Sequence, residues 1–220
     1  FGHVEDCTDV YDEKKVKVTN ELLEKIKEKV EEYDSSTLHI ELDQTTIDFT
    51  NIDLSNVTSL IIDCSNINFN YIPFYDNAYQ SVSIVISEKT NKEDIINFLQ
   101  NVNFIAREYD ETKTSPSLNI EFTANVSVDL INEYLEVISK IGGLYSIYIE
   151  TSSNINELHF ENAKSNVLEI FHKSSQYIDY DITLNDKISE FNLETHYDEE
   201  FDEKEVLLKN KKNSCKNKNK

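Results

Sequence analysis

The sequence is short of the glycines that build phosphate-binding and nucleophile loops. Only three glycines occur in 220 residues, Gly2, Gly142 and Gly143. A G-x-S-x-G nucleophile elbow, a P-loop and a dinucleotide fingerprint all need glycine where the backbone turns sharply or approaches a phosphate. The glycine positions exclude all three motifs.

Other residue types that are missing or rare limit the class of protein further. Methionine and tryptophan are missing, and Arg107 is the only arginine. Because Phe1 stands where a reading frame would begin with methionine, we expect a processed or trimmed chain. The bias toward lysine, asparagine and isoleucine is typical of an AT-rich genome. No run of about 18 apolar residues occurs, so the sequence predicts no membrane insertion.

The three cysteines do not have the spacing of a metal site. Cys7, Cys64 and Cys215 lie far apart, whereas zinc sites use close pairs such as C-x2-C. Cys64 ends an apolar strand, where a cysteine is either a small buried hydrophobe or, in the alternative, the disulfide partner of Cys7. We predict no metal and no cofactor.

Glycosylation sequons bear on the compartment of the protein. Asn56 and Asn125 each begin an N-x-[ST] triplet, and Asn213 begins the less usual N-S-C form. Together with a Cys7–Cys64 disulfide they would place the chain outside the cell. The prediction is a secreted or cell-surface protein, with a cytoplasmic location as the alternative.

Charge of one sign dominates the chain. Asp and Glu number 42 and Lys and Arg number 21, which gives a net charge of −21. Such a field repels phosphate backbones and anionic lipid, so it predicts no nucleic acid and favours a protein partner with a basic surface. The alternative is that acidity only confers solubility. Residues 209–220 reverse the sign, with six lysines and no acid, and the mostly acidic segment 198–205 lies directly before them. Opposite blocks of this kind either fold back on each other or form a solvated end.

Short alternating stretches predict strands, and longer periodic stretches predict helices. The predicted helices cover residues 20–33, a segment opened by a capping box at residues 90–93, and residues 127–141, which Gly142 and Gly143 end. The predicted strands lie at residues 38–42, 60–64, 82–86, 118–122, 145–149, 157–160, 180–182 and 191–193.

A strand followed by a helix occurs twice at an offset of 36 residues. The offset carries Val82 to Leu118 in the strands and Leu99 to Leu135 in the helices. Elsewhere the strands recur at irregular gaps. Repeated strand–helix units indicate stacked repeats with a shared core and parallel strands.

One stretch carries a family motif. Leu54-x-x-Val57-x-x-Leu60-x-Ile62, followed by Asn66 and Ile67, resembles the L-x-x-L-x-L-x-x-N-x-I pattern of the leucine-rich repeat family. Poorer matches begin at Ile155, with Asn162 one place early, and at Ile188, where the asparagine is missing. The resemblance implies an α/β fold, an irregular leucine-rich-repeat-like solenoid with short parallel strands and a few helices. The alternative is an ordinary α/β sandwich. The predicted organisation is an N-terminal arm (residues 1–18), a repeat-like domain (19–197) and a charged C-terminal tail (198–220).

No constellation for catalysis is visible. The five histidines form no H-E-x-x-H or H-x3-H pattern, and the carboxylates are too numerous for an acid–base pair to be chosen. The sequence therefore predicts a binding protein rather than an enzyme.

Alternation along the strands selects a candidate binding surface. Side chains that flank the inward apolar residues would gather on one exposed sheet face, which the family resemblance implies is the partner-binding side. The predicted partner-binding residues are His39, Glu41, Asp63, Asn119, Glu121, Tyr148, Glu150, His159 and Glu161.

These observations lead to a secreted or surface-exposed, non-enzymatic binding domain that recognises a protein partner through an acidic sheet face. Three alternatives stay open: an intracellular scaffold or effector, a coat or wall protein that self-associates, and an enzyme of another kind. The oligomeric state stays undetermined.

Overall fold

The computed structural model describes residues 15–17, 37–40, 46–48, 54–55, 57–65, 68–69, 72–109, 112–114, 116–174, 176–197 and 200–202. The chain divides into two compact units, residues 1–114 and 115–220. The predicted helix at residues 20–33 lies outside the described residues, as do most of the predicted arm and tail.

The first unit contains parallel strands and one regular helix. Its elements are β1 (Lys15–Lys17), β2 (Thr37–Ile40), β3 (Thr46–Asp48), β4 (Ser59–Asp63), β5 (Asn68–Phe69), α1 (Ile72–Tyr75), β6 (Ala78–Tyr79), β7 (Ser81–Ile86), α2 (Lys92–Asn101), β8 (Asn103–Phe104), β9 (Arg107–Tyr109) and β10 (Thr112–Thr114).

Strands β2, β4 and β7 lie side by side and run parallel. Leu38, Leu60 and Val82 stand opposite one another in register, and all three are fully buried. Because successive side chains of a strand point to opposite faces, this register puts one apolar row on the core side of all three strands.

The second unit is built on one larger group of strands. Its elements are β11 (Ser117–Phe122), α3 (Val128–Ile138), β12 (Ser146–Thr151), β13 (Val167–Ser174), β14 (Glu190–Tyr197) and β15 (Glu200–Asp202). Strands β11 to β14 are parallel neighbours in chain order, and β15 turns back antiparallel to β14. Within each unit the strands pair mostly in parallel, so the chain is a mixed α/β protein with mostly parallel strands, as the sequence predicts.

Helix α3 confirms the strongest prediction of the sequence. The Ser127 side chain caps it by accepting a hydrogen bond from the backbone N–H of Leu130. The apolar side of the helix is buried, and the ring of Tyr134 stacks on Phe122 at the end of β11, with centroids 6.0 Å apart. The helix ends at Ile138 with Ser139 as its C-cap, so the predicted end at residue 141, next to Gly142 and Gly143, is wrong by three residues. Gly143 lies beyond this end with a φ of 80°, a conformation that glycine adopts without strain.

Helix α2 is present, but its predicted capping box is wrong by one residue. Asn91, not Thr90, is the cap, and its side chain accepts from the N–H of Asp94. The Thr90 hydroxyl is engaged elsewhere, because it donates to the carbonyl of Cys64 and accepts from the N–H of Ser87. Thr90 therefore ties the end of β4 to the start of the helical segment.

The strand predicted at residues 157–160 is wrong. Two short 3₁₀ turns, Ile155–Glu157 and Phe160–Asn162, occupy this stretch. Ile155 and Leu158 are both buried, and their spacing of three residues matches one turn of a 3₁₀ helix. The apolar spacing here belongs to a tight turn rather than to a strand.

The strand predicted at residues 180–182 is also wrong, although its alternation is real. Tyr180, Ile182 and Leu184 are buried alternately, but only a single bridge forms at Tyr180. The N–H of Asp181 donates instead to the side-chain oxygen of Asn156 at 2.8 Å. A side-chain amide therefore takes the place of a neighbouring strand.

Strand β13 has no counterpart among the predicted strands. Leu168, Ile170 and His172 alternate toward the core. A histidine in the third inward position interrupts the apolar alternation, which is why the pattern is weak in the sequence.

Asparagine side chains join successive connections of the second unit. Asn132 donates to the carbonyl of Glu157 (3.0 Å) and accepts from the N–H of His159 (2.8 Å); Asn156 donates to the carbonyl of Asp179 (2.8 Å) and accepts from Asp181. An amide side chain carries one donor and one acceptor group like a peptide unit, so each asparagine pairs with the next connection as a strand residue would.

Candidate functional site

The outward side of strands β11 to β14 carries most of the exposed charge of the sheet in the second unit. This surface, called the acidic face below, consists of Asn119, Glu121, Tyr148, Glu150, Glu169, Phe171, Lys173, Asn192, Glu194 and His196. The residues that alternate with them point inward, and those at positions 118, 120, 122, 147, 149, 151, 168, 170, 172, 191, 193 and 195 are buried.

Parallel register arranges the acidic face in rows across the strands. One row contains Asn119, Tyr148, Glu169 and Asn192, and the next contains Glu121, Glu150, Phe171 and Glu194. Side chains opposite each other on adjacent strands lie about 4.5–5.5 Å apart at Cβ. Four carboxylates and two aromatic rings are therefore gathered over four neighbouring strands.

Lys173 is the one basic residue of the acidic face. Its ammonium lies 3.6 Å from Glu150 Oε1 and 3.9 Å from Glu121 Oε1. The lysine side chain is 49% exposed and Glu121 is 41% exposed, so each ion pair contributes at most about 1 kcal/mol to stability. The pairs show that this part of the face accepts an alkyl ammonium group between two strands.

Tyr148 lies at the centre of the carboxylates. Burial raises the pKa of its hydroxyl well above the ordinary value, and the nearby charges of Glu150, Glu194, Glu121 and Glu169 raise the pKa further. Each carboxylate opposes the formation of another negative charge beside it. The same field favours a positive charge at this position.

Phe171 gives the acidic face a second aromatic ring. It is half-buried, and its ring meets that of His196 on the next strand edge to face, with centroids 6.3 Å apart. Aromatic side chains that are held in place and ringed by charge are common anchors in protein interfaces.

Four of the predicted binding residues come together on this face: Asn119, Glu121, Tyr148 and Glu150. His159 and Glu161, predicted beside them, do not, because the strand that was to carry them is absent. His159 lies between the two 3₁₀ turns, and Glu161 lies within the second one.

The remaining predicted residues belong to the first unit. Asp63 ends β4, and its carboxylate accepts from the N–H of Ser65 at 2.9 Å, which closes the turn after the strand. His39 lies in β2 opposite Ile61, and its side chain is outside the described part of the structure, as is Glu41 altogether.

Sequence reasoning missed Glu169, Phe171 and Lys173 because it missed β13. The alternation of residues 168–172 was the available signal. Glu194 and His196 were missed for a different reason, since β14 continues to Tyr197 beyond its predicted end at residue 193.

A second polar group lies on the inward side of β13. The His172 ring is 2% exposed; its Nε2 is 2.9 Å from the carbonyl oxygen of Ser153, and its Nδ1 is 2.7 Å from the Tyr180 hydroxyl. Because a carbonyl only accepts, Nε2 carries the proton, and Nδ1 accepts from Tyr180. Burial lowers the pKa of His172 below its ordinary value, so the neutral ring is the native form.

Two predicted modification sites are partly described. Cys64 is fully buried, with its sulfur 4.0 Å from the carbonyl oxygen of Ile62. Since Cys7 lies outside the described residues, the disulfide stays a prediction. Asn125 is exposed in the turn between β11 and α3, with a φ of 73°, whereas Asn56 is not described.

The described part of the chain contains neither a metal-ligand cluster nor a membrane-spanning helix. There, no three His, Cys, Asp or Glu side chains cluster as metal ligands would. No helix among the same residues has both the length and the hydropathy needed to cross a bilayer.

No protein-family model, curated protein or solved structure matches the chain.

Proposed function

We propose that this chain is a non-enzymatic binding domain that recognises a basic protein partner through the acidic face. The observation that carries the proposal is the placement of Tyr148, half-buried among four glutamates on a sheet of four adjacent strands. A lysine or arginine side chain arriving there would meet several carboxylates and an aromatic ring together.

Preorganisation supports binding by this surface. Strands β13 and β14 pair over eight residues, and β12 and β13 pair over six. A paired strand holds its side chains at fixed spacing, so little conformational entropy is lost when a partner docks. The ammonium of Lys173 lies 3.6 Å from Glu150 Oε1, which supports a basic side chain as the group that is recognised.

The solenoid implied by the leucine-rich-repeat resemblance is also a proposal. It is supported by the asparagine bridges of Asn132 and Asn156 and by a recurring step at the strand starts. The carbonyls of Pro116, Tyr145 and Asn166 each accept hydrogen bonds from the first N–H groups of the next strand. Repeated bonds of one type between successive connections are expected of stacked units that share one core.

A secreted or cell-surface location is proposed on two grounds. Asn125 is exposed in a turn, where an oligosaccharide would meet no packed neighbour. Cys64 and Cys7 would supply a disulfide. The intact mass of the natural protein before and after deglycosylation and reduction tests this: loss of glycan mass and a gain of about 2 Da on reduction support it, and an unmodified mass contradicts it.

The binding proposal is tested with a library of basic 12-residue peptides and a matched library in which every Lys and Arg is Gln. We expect binding of the basic library only, and a steep loss of affinity as salt rises, because exposed charges are screened over about 8 Å at physiological ionic strength. Calorimetry or fluorescence anisotropy gives the dissociation constants.

Matched variants locate the site. We expect Tyr148→Ala and Glu121→Lys to weaken peptide binding about tenfold, which is about 1.4 kcal/mol, with little change in Tm. Tyr177→Ala and Glu136→Lys, at exposed positions off the face, should leave affinity unchanged within a factor of about two.

Lys173→Gln should strengthen binding, because it removes the cation that competes with the peptide. Equal effects of face and control variants would show that only net charge matters and would reject the acidic face as the site.

A further inference from the structure

The last described strand, β15, lies next to β14, one of the strands that carry the acidic face. Strand β15 pairs antiparallel with β14, with Tyr197 opposite Glu200 and Thr195 opposite Asp202. Because the pairing is antiparallel, the direction of the chain at Asp202 is toward the amino-terminal end of β14. Asp202 itself lies opposite Thr195, the residue that follows Glu194, one of the four glutamates around Tyr148.

The sequence that follows has the charge opposite to that of the face. Residues 209–220, called the basic tail below, contain six lysines and no acidic residue. The acidic face has four glutamates against one lysine. The basic tail and the acidic face therefore have complementary charge.

The distances allow the contact. Six residues separate Asp202 from the basic tail, and an extended chain spans about 3.3–3.6 Å per residue, or about 20 Å here. Adjacent strands are about 4.8 Å apart, so β11, four strands away from β15, lies about 19 Å from it. Every carboxylate of the acidic face is within reach.

We propose that the basic tail docks on the acidic face of its own chain and competes there with the basic partner. The inference rests on the proposed function, since the tail uses the same carboxylates as the partner. Exposed ion pairs are individually weak, but a short connection raises the local concentration of the tail to the millimolar range. A tail with a dissociation constant of about 0.1 mM would then weaken partner binding about tenfold.

The test uses the full chain and a defined probe, a synthetic peptide with the sequence of residues 209–220 carrying C215S. Two triple variants change the net charge equally: K209Q/K211Q/K212Q in the basic tail, and K89Q/K140Q/K164Q at exposed positions outside it. We expect the tail variant to bind the peptide about tenfold more tightly than the unmodified chain. The control variant should bind it within a factor of about two of the unmodified chain.

Carbodiimide coupling of lysine amines to carboxylates then identifies the contact. In a mixture of ¹⁵N-labelled and unlabelled chains at low salt, we expect cross-links from the basic tail to Glu169 or Glu194 within one isotopic form. Cross-links that join labelled to unlabelled chains would assign the contact to a second copy and overturn docking in the same chain.

The two proposals fail in different ways. If the unmodified chain and both triple variants bind the peptide equally, and Glu150→Gln weakens that binding, the acidic face stands and tail docking is overturned. If no form binds the peptide, or Glu150→Gln changes nothing, the proposed function is overturned and the tail proposal with it.

Discussion

The two strand–helix segments, β7–α2 in the first unit and β11–α3 in the second, have the same pattern of buried residues but different outward residues. Their caps, Asn91 and Ser127, are 36 residues apart, as are the buried pair Ile95 and Ile131. The same offset relates the other buried positions of the two helices, Phe98 to Tyr134 and Leu99 to Leu135.

Outward positions of the two strands differ in chemistry. Strand β7 presents Ser81, Ser83 and Val85, whereas β11 presents Ser117, Asn119 and Glu121. Inward residues are constrained by packing density, and outward residues are not. The repeated inward pattern therefore specifies the fold, whereas the candidate function lies in the outward residues, which differ between the two segments.

The common burial pattern of the two segments is tested by Ile95→Ala and Ile131→Ala. Each isoleucine is fully buried, so each change should lower the free energy of unfolding by about 2–5 kcal/mol through lost burial and a residual cavity. Urea denaturation measures both. Ile105→Ala, at a residue 45% exposed, is the control and should cost clearly less. A negligible effect at either buried isoleucine would break the equivalence of the two segments.

Among the described residues, buried polar side chains occur in the second unit, and His172 is the ionisable one. Among the described residues, those that are buried and polar are Thr151, Ser165, His172 and Thr195, all in this unit. We expect His172→Phe to cost about 1–3 kcal/mol, because it removes the hydrogen bonds to Ser153 and Tyr180.

The same histidine predicts a pH dependence. Its pKa is lowered in the folded protein relative to the ordinary value of 6.5, and the side chains opposite it in register, Thr151 and Thr195, carry no charge. Above pH 6.5 both folded and unfolded states are neutral and stability is complete. As pH falls below 6.5 the unfolded state takes up the proton first, so stability is lost down to the folded pKa.

Hydrogen exchange at the amides of β13, in the second unit, and of β7, in the first unit, measures this loss of stability in each unit separately. We expect protection at β13 to fall between pH 7 and pH 5 by more than protection at β7, and His172→Phe to remove the difference. An acid response of equal size in both strands, unchanged by the substitution, would refute the role of His172.

The smallest expected effects are at the helix caps. Asn91→Ala and Ser127→Ala each remove one side-chain acceptor for a backbone N–H, and we expect a loss of about 1 kcal/mol from each. Thermal unfolding of both variants checks this. Thr90→Ala is the control for the caps. Because Thr90 bonds Cys64 and Ser87 rather than capping α2, any loss of stability from this change should occur without a loss of helix content.

Local patterns predicted the elements whose hydrogen bonds or apolar contacts are near in sequence. Helix α3 and strands β7 and β11 are examples, because period and cap are contained within about a dozen residues. The failures have a common cause. At residues 157–160, apolar spacing alone did not distinguish a tight turn from a strand, and at residues 180–182 the expected strand partner was replaced by Asn156.

The candidate site was predictable only in part for the same reason. Asn119, Glu121, Tyr148 and Glu150 follow from alternation along two well-predicted strands. Glu169 and Glu194 were missed because β13 was not predicted and β14 extends beyond its predicted end, and their place beside Tyr148 depends on the register of both strands.

Periodicity and composition are local properties, and they were enough to predict the α/β class, the mostly parallel strands and the excess of negative charge. Only the tertiary structure decided which carboxylates share a surface with Tyr148 and that His172 is buried between Ser153 and Tyr180. Those neighbours come from separate strands and connections, and their meeting depends on strand order and register, which are set by the packing of the whole sheet.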